Sequence, residues 1–448
     1  MYHSSFFPNA TAALALLCIV GFACAPALAA SSYTTVYNFQ PDNPGPFSPL
    51  VADSAGNFYG VAAGPGAENG TNNGIVFELS PPAQEGGSWT TTTIFTFNGT
   101  SDGNLPESGL VIDGKGNLFG TTFGGGSGTC TLGGANVGCG VVFELSQSGG
   151  TWSETVLYDF QGGKDGRNPQ YSPMTFDAAG NLYGTTIFGG GKACSLHVGC
   201  GVLFKLAPPK DGGSSWTESV LHRFTKKQGT SPQGSLLYLS GLLYGMTSGG
   251  GANNVGTAYQ STLKGKVTVI NNFDGGAGGS DNFPGGLVAD ASGSLYGFTY
   301  GGGSSNYGTV FKLTPSGGTW SETVLYTFTG MADGGNPVGA PALDKSGKIY
   351  GNTQSGGNSA YCGFTSQQNG CGVVFKVESS GANFKETVLH TFTDGTTPSA
   401  DDGAFPAGGL MIGKNGALFG ATQIGGTGAC YSGKGSDLGC GTAFSVAP

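Results

Sequence analysis

From about position 33 onward the chain is a succession of short apolar runs broken by polar punctuation. The runs are five or six residues long and rich in Val, Leu, Phe, Tyr and Thr. Gly, Asp, Asn, Ser and Pro bound them. That composition and length predict strands joined by turns rather than helices. One element recurs seven times: NFYG ending at Gly60, NLFG at Gly120, NLYG at Gly184, LLYG at Gly245, SLYG at Gly297, KIYG at Gly351 and ALFG at Gly420. Its copies are spaced by 60, 64, 61, 52, 54 and 69 residues. An apolar run such as Gly109-Leu110-Val111-Ile112-Asp113 precedes each copy. Two more follow, such as Val141-Val142-Phe143-Glu144-Leu145 and Thr155-Val156-Leu157-Tyr158-Asp159-Phe160. Four strands in each of seven repeats predict an all-β fold, a seven-bladed β-propeller of four-stranded blades. A parallel β-helix would need much shorter coils, and a two-sheet sandwich would not need seven copies of one unit.

The two ends of this pattern are complementary. The first run, Thr34-Thr35-Val36-Tyr37-Asn38-Phe39, is of the fourth type, and the last, Thr442-Ala443-Phe444-Ser445-Val446, is of the third. The N-terminal strand is therefore expected to complete the C-terminal blade and close the ring, which removes an exposed edge. Upstream, Ala12 to Ala25 is almost wholly apolar and is followed by Pro26 and Ala27-Leu28-Ala29. This reads as an export signal over residues 1–30, with residues 31–448 as a single propeller domain. The apolar run falls short of the roughly 20 residues that a membrane-spanning helix requires. The segment departs from the usual pattern in having only His3 and the terminal amine as its positive groups. Ser445-Val446-Ala447-Pro448 carries no hydrophobic anchor. The expectation is a secreted protein, extracellular or periplasmic, with no membrane span after cleavage.

Repeats of the form P-x-x-G-L-x-x-D-x-x-G-N-L-Y-G-T-T-x-x-G-G, then G-x-V-F-K-L, then T-V-L-Y-x-F, resemble the GloVer tandem repeat of bacterial extracellular proteins. Pro169 to Leu206 and Pro284 to Phe328 match best. The fourth copy departs most, with Gly241-Leu242-Leu243 lacking the preceding turn and Thr257-Ala258-Tyr259 in place of T-V-F. The resemblance implies an exported repeat protein and no particular activity.

Composition narrows the class of partner. Gly accounts for 87 of 448 residues, far above the roughly 7% of ordinary proteins, but it is periodic here. Charged residues make up 10% of the chain, the net charge is −9, and Arg167 and Arg223 are the only arginines. Without clustered Lys and Arg, nucleic acid is excluded as a partner. Eight cysteines remain beyond the signal, as Cys130/Cys139, Cys194/Cys200, Cys362/Cys371 and Cys430/Cys440. Each pair falls within one repeat, between its second and third strands, and three repeats lack both members. In an exported protein this predicts local disulfides. The unequal gaps argue against zinc. All four tryptophans, Trp89, Trp152, Trp216 and Trp320, share one slot at the entrance to the fourth strand, with Phe384 in the same place. That recurrence favours packing at blade edges over a sugar platform. His222 and His390 replace Tyr158 and Tyr326 of sister repeats.

No nucleophile elbow, zinc-protease motif, phosphate loop or calcium loop is present, so neither a catalytic residue nor a cofactor is assigned. The loops from fourth to first strands and from second to third strands emerge on one face, which is expected to be the working surface. An Asp-Gly pair recurs there at Asp102, Asp165, Asp333 and Asp402. It serves either as a turn or as a ring of carboxylates for cations or sugar hydroxyls. Arg167, Lys226, Lys227 and Asp281 are charged residues found in one repeat each. These eight are the candidate ligand residues. Three readings follow: a non-catalytic, monomeric propeller binding an extracellular glycan or protein; an enzyme acting on polysaccharide at the channel mouth; and a structural matrix protein.

Overall fold

The repeating strand pattern folds as seven antiparallel sheets of four strands, arranged as a β-propeller. The computed structural model describes residues 32–41, 45–46, 48–63, 73–84, 87–191, 194, 199–210, 215–280, 285–357, 362, 370–393, 402–428, 430 and 439–448. The proposed export segment, His197 and Asp281 lie outside the described residues. Blade two is representative: Val111–Ile112, Leu118–Thr121, Val141–Ser148 and Thr151–Asp159 lie side by side in sequence order. In blade seven Ala404–Ile412, Leu418–Ile424 and Thr442–Val446 are joined by Tyr33–Asn38. Tyr33 stands opposite Val446 and Asn38 opposite Thr442. Among the described residues there is no helix.

The second and third strands of each blade are buried on both faces, as in Val141-Val142-Phe143, whereas fourth strands such as Thr151–Asp159 alternate between exposed and half-buried. Blades stacked face to face leave the middle strands no solvent side, which is why these runs are continuously apolar. The repeat's two phenylalanines explain each other. The Phe ending a fourth strand packs edge-to-face on the third-strand aromatic of the next blade. Ring separations are 5.2 Å for Phe97–Phe143, 5.3 Å for Phe160–Phe204, 5.0 Å for Phe224–Tyr259 and 5.3 Å for Phe273–Phe311. They are 4.9 Å for Phe328–Phe375, 5.1 Å for Phe392–Phe444 and 5.2 Å for Phe39–Phe77. One such pair thus crosses every seam, including that between blades seven and one, and each adds about 0.5–1.5 kcal/mol beyond its burial.

The glycines of the motif make room for this. A Cβ on Gly120 would stand 2.5 Å from Phe143 Cζ, and Gly184 and Gly297 meet Phe204 and Phe311 in the same way. Gly140, which opens a third strand at φ +88°, would place a Cβ 2.3 Å from the Thr122 carbonyl and 2.9 Å from Cδ of Pro169 in the next repeat. The proline that begins one repeat therefore requires the glycine in the repeat before it.

Blade four breaks the aromatic rule informatively. Tyr259 is completely buried and its hydroxyl has no hydrogen-bond partner among the described residues. Every other blade has Phe in this position. Removing an unsatisfied buried hydroxyl recovers its desolvation penalty, about 1–3 kcal/mol. Tyr259→Phe is therefore expected to raise the melting temperature in a thermal denaturation scan, and a fall would show that the hydroxyl is satisfied.

The tryptophans lie across the seams on the outer side. Trp152 meets Tyr59 at 6.0 Å, Trp216 meets Phe119 at 5.9 Å and Trp320 meets Tyr244 at 6.0 Å, each on the preceding blade. Trp89 stacks on Phe58 of its own blade at 5.3 Å and reaches Phe419 of blade seven at 6.3 Å. Trp152 and Trp320 lie within their fourth strands rather than in the preceding turn, because those strands begin four residues earlier than their apolar runs suggest.

Candidate functional site

The face that carries the fourth-to-first and second-to-third connections is stiffened first by sulfur. Cys130–Cys139, Cys194–Cys200, Cys362–Cys371 and Cys430–Cys440 are disulfides. Their sulfurs belong to the same apolar clusters as Phe160, Phe224, Phe392 and Phe39, the residues directly after the fourth strands of their own blades. Each bridge therefore caps one end of a blade's core. Among the described residues no group of three or more His, Cys, Asp or Glu side chains is placed to hold a metal ion.

The recurrent aspartates are occupied locally. Asp165 Oδ2 accepts from Tyr158 Oη at 3.1 Å and from the Gln161 amide at 2.8 Å. Asp333 repeats this with Tyr326 Oη at 2.9 Å and the Thr329 amide at 2.9 Å. Asp402 does so with His390 Nε2 at 2.7 Å and the Thr393 amide at 2.8 Å. His390 thus fills the tyrosine's place in function as well as in sequence. Asp102 accepts from the Asn98 amide at 2.8 Å. Arg167 lies over the Phe188 ring at 5.4 Å, and burial lowers the pKa of its guanidinium. Lys226 and Lys227 are exposed on the loop after blade three. The aspartates sit one per seam, and none of these seven residues lines the central cavity.

That cavity, about 170 Å³, lies where the inner strands of all seven blades converge. Its wall includes the small residues Ser48, Gly109, Ser235, Gly285, Gly339 and Gly408. Into it project Glu107 from blade two, Tyr171 from blade three, Gln233 from blade four, Tyr300 from blade five, Gln354 from blade six and Gln423 from blade seven. Gln170 Nε2 donates to Glu107 Oε2 at 2.6 Å. Burial raises the pKa of Glu107, and the bond from Gln170 opposes the shift. Burial and the nearby Glu107 charge push the Tyr171 phenol up to about 12, and burial also raises Tyr300. The described wall carries one ionisable carboxyl and no Lys, Arg or His.

Glu107 was missed by a search for catalytic motifs, yet a signal for it exists. It follows the proline that opens its repeat, where the sister segments read Phe47, Gln170, Gln233, Gly285, Val338 and Ala407. Comparing repeats position by position shows a single charge among the residues that follow the opening prolines.

Similar solved structures include a gluconolactonase from Xanthomonas campestris, with 11% identity, 93% of this chain and 99% of that one covered, and a TM-score of 0.40. A protein of unknown function from Dyadobacter fermentans matches with 12% identity, 94% and 99% coverage and a TM-score of 0.45. These similarities carry no argument about activity. No curated protein matches the sequence. The model of the Gloeobacter/Verrucomicrobia repeat matches residues 128–285 and again 276–448, well over half of the chain. The chain belongs to that repeat family.

Proposed function

We propose that this is an exported binding propeller whose central cavity holds an uncharged, hydroxyl-rich group, the end of an extracellular glycan. The observation that carries this reading is the cavity wall: one carboxyl, three amides and two phenols drawn from six blades, with no cation among the described lining residues. Carboxylates and amides pair with vicinal hydroxyls, and tyrosines offer a ring face with a polar tip. A wall with a carboxylate and no Lys or Arg disfavours anionic ligands such as uronates or phosphates. Export is supported by four disulfides and by the apolar segment before Pro26.

The test is binding of the purified chain to a broad glycan array, with Glu107→Ala in parallel. Hydrogen bonds to a charged group contribute about 1.5–3 kcal/mol, so the variant is expected to lose roughly ten- to hundredfold in affinity. Retention that is unchanged in the variant places the site elsewhere, and no retention on any glycan removes the sugar reading. A second reading, a polysaccharide-active enzyme, draws on the same residue, because a carboxyl found in one blade is the asymmetry that catalysis requires. Product release from the retained glycans, absent in Glu107→Gln, would decide for it.

A further inference from the structure

Four fourth strands carry a glutamate at one register position: Glu154, Glu218, Glu322 and Glu386 stand opposite Leu145, Leu206, Leu313 and Val377. Those partners are completely buried. In all four glutamates Oε1 is buried without a hydrogen-bond partner among the described residues. Each carboxyl feels the charge of an acid on the loop that leaves the preceding blade. Asp102 acts on Glu154, Asp165 on Glu218, Asp274 on Glu322 and Asp333 on Glu386. Glu322 makes the contact explicit, for its Oε2 accepts from Asn271 Nδ2 at 3.0 Å across the seam. The other facing groups are Tyr158 and Arg223 at Glu218, and Tyr326 and Lys385 at Glu386.

A carboxylate in this position has lost part of its hydration, gains no donor at Oε1, and stands beside a second negative charge. We propose that these four glutamates are proton-held clasps between blades, neutral when the surroundings are mildly acidic and charged when they are alkaline, so that acid tightens the propeller and alkali loosens its seams. Burial raises all four to about 7, with the neighbouring aspartates adding to it and the Asn271 bond opposing it at Glu322, against about 4.3 in an unfolded chain. Between those values the folded protein holds protons that the unfolded chain has released. Stability therefore falls as pH rises through this window.

The experiment compares thermal unfolding of the full chain with that of a variant carrying Glu154→Gln, Glu218→Gln, Glu322→Gln and Glu386→Gln, from pH 5.5 to 8.5. The wild-type melting temperature should fall by about 5 °C or more across this range, and the variant's should stay nearly level. The variant keeps His222 and His390, so the difference between the curves belongs to the glutamates. Equal slopes would overturn the proposal. If the fourfold variant does not fold, carboxyl carbon NMR titration of the wild type decides. Four glutamates titrating near neutrality support the clasps, and all glutamates titrating below pH 5.5 overturn them.

Discussion

Alanine at Gly339 is expected to destabilise the protein by more than about 3 kcal/mol, because left-handed backbone strain and overpacking act together there. Gly339 sits at φ +74°, and a Cβ on it would stand 2.1 Å from the Gly409 amide nitrogen and 2.2 Å from the Gly408 carbonyl carbon. Backbone of the next blade cannot swing aside as a side chain can. The contact is one link in a series. Gly285 would place a Cβ 1.8 Å from the Gly339 carbonyl oxygen, and Gly408 would place one 2.3 Å from the Pro49 nitrogen. Blades five, six, seven and one thus touch backbone to backbone around the axis. Gly347 supplies the control, since its φ is +84° but a Cβ would meet nothing within 4 Å. Gly347→Ala is expected to lose only the conformational term, about 1–2 kcal/mol. Chemical denaturation of both variants measures the difference, and equal losses would show that the inner strands are not close-packed.

The same small residues explain why the fold was legible in the sequence and the site was not. The repeat is a record of contacts between neighbouring blades. The F of T-V-L-Y-x-F needs the F of V-F-K-L one blade on, the G of L-Y-G makes space for that second ring, and the opening G of the third strand accommodates the next repeat's proline. Seven copies state each requirement seven times, so strand count and blade boundaries follow from periodicity alone. A ligand site in such a ring is built from departures from the repeat. Motif searching averages those departures away. Glu107 illustrates this, for nothing in its own surroundings distinguishes it from a surface glutamate. Its meaning comes from the six uncharged residues at its repeat position and from its own place on the wall of the central cavity.

The recurrent aspartates are the opposite case. Recurrence drew attention to Asp102, Asp165, Asp333 and Asp402 as a ring, yet each of these four closes its own loop by accepting a backbone amide of that loop. A feature shared by all blades more often answers a problem that all blades share. The seam glutamates obey that logic too. Each stands where the preceding blade's loop brings an acid; in blade seven, where that loop brings Asp402, Tyr33 takes the same register opposite Val446 and donates to the Asp402 carbonyl oxygen at 2.6 Å.

Breaking all four disulfides is expected to lower stability by as much as about 10 kcal/mol, at about 2.5 kcal/mol for each loop of roughly ten residues in the chain-entropy model. The bridges lie in separate blades, two, three, six and seven, so their effects should add. Their distribution follows loop length. Between second and third strands there are 19 residues from Thr121 to Val141, 15 from Thr186 to Val202, 17 from Ser355 to Val373 and 17 from Ile424 to Thr442. The three blades without a bridge have 12, 7 and 9 residues, from Ala62 to Ile75, Gly249 to Thr257 and Thr299 to Thr309. A longer, glycine-rich connection has more freedom to lose on folding, and a covalent bridge removes part of that freedom beforehand. Because the sulfurs pack on Phe160, Phe224, Phe392 and Phe39, reduction also loosens the apolar end of each of these blades. Calorimetry of the oxidised chain and of the chain refolded in reductant measures the sum, with proteolysis reporting where the chain opens. First cuts between positions 130 and 139 or 430 and 440 support the loop account. A reduced protein that melts where the oxidised one does would show that packing alone orders these connections.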